Sequence, residues 1–189
     1  MRHTGSVAVL RRTRSYFFRK QVEIADIRQS LWSKVGEAEY GSGEKYQAAI
    51  LDQYKTYVEM ADRLSARRGA ANTLFLAINT AAISLATVYA KALAPSRAYL
   101  LTPVLMLVIQ CGVWFWVLRS YRQLSSAKHR VIGALEERLP ASPYWRAEWD
   151  ALGRGKDPAL YWPVASLEQW VPAVYAAAYV ASYITIILA

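Results

Sequence analysis

Residues 72–93, NTLFLAINTAAISLATVYAKAL, carry a single charge, Lys91, close to the far end. A helix of that length at 1.5 Å per residue crosses the roughly 30 Å hydrocarbon core of a bilayer. Residues 98–118, AYLLTPVLMLVIQCGVWFWVL, follow with no charge at all. A third uncharged run, WVPAVYAAAYVASYITIILA, occupies 170–189 and is richer in Ala and Tyr. The three runs predict three membrane-spanning helices. For the third, a core-packed or interfacial helix is the alternative reading.

Charge placement orients these spans. The linker KALAPSRAY between the first two holds only Lys91 and Arg97, with Pro95 as its breaker. The other twenty-one of the twenty-three Lys and Arg lie before the first span or between the second and third. The positive-inside bias therefore places the N-terminus and the 119–170 segment in the cytoplasm of a plasma (inner) membrane. The net charge of +9 is spread along the flanks of the apolar runs, which fits anionic headgroups better than a nucleic-acid groove. No specific nucleic-acid binding is expected. Trp114, Trp116 and Trp170 read as an inner aromatic belt. The start, MRHTGSVAVLRRTRSYFFRK, has too short an apolar run for a secretory signal.

Helical periodicity continues beyond the spans. Tyr46, Ile50, Tyr54, Tyr57, Ala61 and Leu64 recur at three- and four-residue steps, and no proline interrupts Glu44 to Leu93. Leu118, Tyr121, Leu124, Lys128, Val131, Leu135 and Leu139 repeat the pattern until LPASP ends it. Two such helices joined by a short outer turn run antiparallel and zip into a cytoplasmic stalk. The organisation expected is an amphipathic helical segment over 1–43, with one helix across SYFFRKQVEIADIRQSLWSKVGEAEY. A long hairpin over 44–139, a Trp-rich connector over 140–169 and the third span over 170–189 complete it. The fold class is all-α, polytopic, with long antiparallel membrane helices extended into a stalk.

The inventory argues against an enzyme. Cys111 is the one cysteine, and His3 and His129 are the only histidines. That excludes a disulfide framework or cysteine zinc cluster and leaves no conventional metal site or cofactor to expect. LGRGKDPALYWP at 152–163 has glycines and a lysine, but not the Gly-x4-Gly-Lys-Ser/Thr spacing of a phosphate loop, and no strand precedes it. Gly153 reads instead as a helix stop, KDP as a turn back to the bilayer, and Ser166 as the cap of the next helix.

Three stretches together, MADRLSARRGAANTLFLAINTA, WFWVLRSYRQLSSAKHRVIGALEERLP and GRGKDPALYWP, resemble a group of small prokaryotic integral membrane proteins. The group is related in plan to the SLATT membrane effectors found beside antiviral genes. It is similar also to the small membrane accessory protein of RNA-editing defence systems. The resemblance spans roughly residues 50–175. It implies a homo-oligomer in the inner membrane that permeabilises the bilayer or acts with a soluble defence partner, and it implies no catalytic residue.

Intramembrane polar groups are costly unless they meet partners or water. Asn72 and Asn79 lie seven apart on one helical face, Thr80, Ser84 and Thr87 form a neighbouring stripe, and Gln110 sits within the second span. They read either as interhelical hydrogen-bonding groups or as the lining of a pore formed by several copies. Arg63, Arg67 and Arg68 form a basic cluster at the membrane interface, suited to lipid phosphates or, alternatively, to an anionic ligand. Tyr175, Tyr179 and Tyr183 form a stripe for packing against other spans, and Cys111 reads as a small buried hydrophobe.

Overall fold

The computed structural model describes residues 24–33, 35–93, 100–161 and 164–188. Among the described residues there are helices and no strand. A short helix α1 (Ile24–Leu31) precedes the 51-residue α2 (Gly43–Leu93) and the 36-residue α3 (Leu101–Glu136). A π-helical turn at Pro143–Glu148 opens the connector, which ends in α4 (Val164–Glu168) and then α5 (Val171–Leu188). Helices α2, α3 and α5 are each long and apolar enough to cross a membrane. The chain is an all-α polytopic membrane protein.

α3 is the central helix, packing along both α2 and α5. Outside the membrane α2 and α3 form the stalk, its apolar side built from Ile50, Ala61, Leu64, Leu118, Ile132 and Leu135, all buried. Lys128 lies 5.0 Å above the Tyr57 ring, and Arg138 donates to the Tyr46 hydroxyl at 2.7 Å. The stripe read for α3 needs one correction. Leu124 is 50% exposed, whereas Ile132, Gly133, Ala134 and Glu136 are buried. The reason is the connector, which folds back and covers a second face of α3. Trp145 lies so close to Gly133 that a Cβ there would sit 2.7 Å from its ring.

The single helix expected across 15–40 is not observed where the chain is described. α1 stops at Leu31, Gly36 is extended, and a separate 3-10 turn runs from Glu37 to Tyr40 before Gly41 reverses the chain at φ 76°. The chain breaks so that Trp32 can stack under the Arg138 guanidinium at 3.6 Å. Residues 15–23 of that expectation lie outside the described residues, as does the linker proline Pro95.

In the connector, Gly153 takes φ 61° just after the Leu152 cap, as a helix stop requires. Arg154 follows in the same left-handed region at φ 55°, held by its bond to Asp150 at 2.6 Å. Ser166 falls inside α4 rather than at its cap. The backbone breaks instead at Trp170, whose N–H bonds Leu167 while its carbonyl accepts from Val174. Pro172 then occupies the first turn of α5, where its missing N–H costs nothing.

Candidate functional site

Two polar layers join the three spans. In the deeper one, the Asn79 Oδ1 accepts the Tyr179 hydroxyl of α5 at 2.7 Å and the Cys111 thiol of α3 at 3.8 Å. Its Nδ2 donates to the Phe75 carbonyl at 2.7 Å. One amide therefore touches all three spanning helices and is fully enclosed. Two helical turns nearer the stalk, the Asn72 Oδ1 accepts the Trp114 indole N–H at 3.2 Å. The Trp114 ring stacks on Phe75, with centroids 5.6 Å apart and planes 9° apart, and meets Tyr175 at 5.8 Å.

The seven-residue spacing of Asn72 and Asn79 brings both into one interior seam, where each hydrogen bond is worth about 1 kcal/mol. Trp114 is completely buried here, which corrects its placement in the aromatic belt. Its N–H has a partner inside the subunit, so it has no need of the headgroup region. Trp116 and Trp170 remain exposed.

Thr80 and Ser84 point the other way. Their hydroxyls bond back to the carbonyls of Leu76 and Thr80 at 2.9 and 3.0 Å, and Thr87 does the same to Ile83. These groups are exposed on the subunit yet already hydrogen-bonded, so they do not demand water. Gln110 is half-buried, and its Nε2 finds no hydrogen-bond partner among the described residues.

The three arginines at the interface are not equivalent. Arg63 pairs with Glu59 one turn below it at 2.6 Å, with both side chains well exposed. Arg67 is exposed. Arg68 turns inward to Glu168 at 3.4 Å, and Arg122 donates to Gln169 at 2.9 Å. The last two contacts clamp the end of α4 to α2 and α3 at the level where the spans begin.

The sequence reading missed a second polar node in the stalk. The Glu136 carboxylate is buried and accepts four hydrogen bonds. Oε1 takes the Tyr54 hydroxyl at 3.1 Å and the Tyr144 N–H at 3.0 Å. Oε2 takes the Ser142 hydroxyl at 2.6 Å and the Trp145 N–H at 2.9 Å. Glu136 thereby caps the π-helical turn, whose first N–H groups have no partner within the turn. The available signal was its four-residue spacing from Ile132, which puts an acid on the core face of α3.

Burial, and then the bond to Glu136, push the Tyr54 hydroxyl up to about 12. Next to this node a groove of about 110 Å³ opens between α2 and α3, lined by Asp62, Ser65, His129 and Tyr144 among others. It is well below the roughly 300 Å³ at which pockets for drug-sized ligands begin.

The sequence profile of the Octameric membrane protein family matches residues 51–188, which run from the stalk part of α2 to the end of α5. No curated protein and no solved structure matches the chain.

Proposed function

Since the chain belongs to the Octameric membrane protein family, we propose that it works as a homo-oligomer, with eight copies assembled in the bacterial or archaeal inner membrane. The assembly perturbs or perforates the bilayer in antiviral defence, and it has no catalytic role of its own. The N-terminus and stalk face the cytoplasm, where the basic flanks meet anionic headgroups.

One observation carries the oligomeric part. No more than 17% of any spanning window is buried within the subunit, so most of the span surface is left for lipid or for other copies. The defence role rests on the resemblance of the three quoted stretches to SLATT-like effectors. Reconstitution in liposomes with an entrapped dye tests the perforation. Leakage is expected under conditions where native mass measurement gives the octamer, and tight vesicles carrying octamers would overturn it.

A second reading is favoured by a specific observation. Asn79 is enclosed within the subunit, and the Oδ1 of the half-buried Asn72 is taken by Trp114, so neither oxygen is open to a lumen. In this reading the octamer is a membrane anchor, and the stalk presents a surface to a soluble defence partner. Tight vesicles combined with partner recruitment that is lost on polar substitution of the stalk would support it.

A further inference from the structure

On α2, the residues Ala66, Ala70, Thr73, Ala77, Thr80, Ser84 and Thr87 follow one another in strict alternation of four and three. All seven are small, and all seven are exposed on the subunit. An exact seven-residue repeat is the signature of a helix that keeps one seam against a partner helix. The next sector of α2 is different, with Leu74, Ile78, Leu85 and Val88 at 59%, 42%, 70% and 65% exposure. Branched side chains suit lipid tails, whereas small ones let another backbone approach.

α5 carries a matching stripe on the face opposite Tyr175 and Tyr179. Val174, Ala177, Ala181, Ile184 and Leu188 step by three and four, and all are exposed. Within the subunit, α2 and α5 lie on either side of α3. They touch through long side chains, Asn79 to Tyr179 and Arg68 to Glu168. Both contacts have an offset of one hundred residues, so α2 and the α4–α5 stretch run parallel and in register.

Copies related by rotation about the membrane normal sit at equal depth. Residue n of α2 in one copy then faces the neighbourhood of residue n + 100 in another. Ala77 falls level with Ala177, Thr80 with Ala181, and Ser84 with Ile184.

Building on the octameric reading above, we propose that the small-residue seam of α2 receives the outer stripe of α5 from a second copy. Val174, Ile184 and Leu188 supply knobs, and the Ala, Ser and Thr seam supplies shallow holes. This contact is head-to-tail, and repeated around an axis it closes a ring, which a self-paired α2–α2 contact would not do.

The test uses the full chain in nanodiscs, with Cys111 left in place because it is only 1% exposed. The double variant Thr80→Cys, Ala181→Cys is oxidised and run on a denaturing gel alongside the wild type and each single variant. A covalent ladder extending past the dimer is expected for the double variant alone. In parallel, Ala77→Trp is expected to reduce the octamer fraction at least tenfold at unchanged helicity, whereas Leu85→Trp leaves it intact.

An octamer by mass that gives no ladder and tolerates Ala77→Trp overturns this interface while leaving the octameric reading standing. Dimers formed by Thr80→Cys alone overturn it in favour of paired α2 seams. A wild-type chain that is monomeric in the nanodisc overturns the octameric reading, and this interface with it.

Discussion

Asn79 and Gln110 are amides within the spans, yet their positions have opposite energetic signs. Asn79 accepts from two other helices and donates to its own. Replacing it with Leu removes both interhelical bonds and strands the Tyr179 hydroxyl in hydrocarbon. The expected loss is about 1–3 kcal/mol, read from denaturant unfolding in micelles, and Tyr179→Phe should recover part of it in a double-mutant cycle. Gln110 leaves a buried Nε2 without a partner. Gln110→Met, similar in volume, is therefore expected to stabilise by about 1 kcal/mol in the same assay. A loss of stability there would mean that the amide is used between copies. Gly133 makes a third prediction at this scale. Its replacement by Ala gains helix propensity of about 1 kcal/mol but drives a methyl into Trp145. Overpacking costs of about 1–3 kcal/mol should win, with a lower thermal midpoint and faster proteolysis of the connector.

At the scale of elements, α1 is held on the end of α3 by a bidentate pair. The Arg28 Nε donates to the Glu137 Oε2 at 2.7 Å, and Nη2 donates to Oε1. That hydrogen bonding holds the Glu137 carboxyl below its ordinary value. A carboxylate depressed in this way stabilises docking above the ordinary carboxylate range and loses that contribution as pH falls through its lowered value. Hydrogen exchange across Ile24–Leu31, corrected for intrinsic rates, should therefore rise on going from pH 6 to pH 3, and Arg28→Ala should abolish the difference. Tyr54 has the opposite sign. Its raised value means that the stalk contact is intact below pH 10 and lost as pH approaches about 12. Tyr54→Phe should flatten that alkaline limb.

The spans and the α2 stalk face were legible because they need only freedom from charge and a 3.6-residue period. The interior seam was legible as the spacing of Asn72 and Asn79, although spacing alone favoured a helix contact only slightly over a lumen. Less was legible where long-range covering decides burial. Trp114 is enclosed by Phe75 and Tyr175, residues 39 and 61 positions away in sequence, so local pattern assigned it to the membrane surface. Glu136 needed Ser142, Tyr144 and Trp145 to fold back over it, and no periodicity announces a π-helical turn. The break after α1 depends on Trp32 meeting Arg138, again a contact between distant parts of the chain.

For the whole molecule, the decisive quantity is the apolar surface that one subunit leaves uncovered. The three spanning windows are only 6%, 17% and 11% buried. Residues such as Leu85, Val88, Met106, Ile109 and Leu188 are more than half exposed. A soluble monomer rarely presents a contiguous apolar patch beyond roughly 600 Å². Removal of detergent should precipitate the purified chain, as followed by light scattering. A monodisperse species in plain buffer would overturn the membrane reading.

α2 passes without interruption from its stalk tip at Gly43 through the first span to Leu93. It is tied to other elements in the stalk at Tyr46 and Tyr54, near mid-length at Arg68, and in the span at Asn72 and Asn79. A rod tied along both arms tilts only together with the helix α3 packed against it. Tilting the pair by about 5° about the height of Arg68 would swing the Gly43 tip, about 37 Å away, through about 3 Å. A force applied at the Gly43 tip is therefore expected to reach the far end of the first span, because α2 has no break between the two.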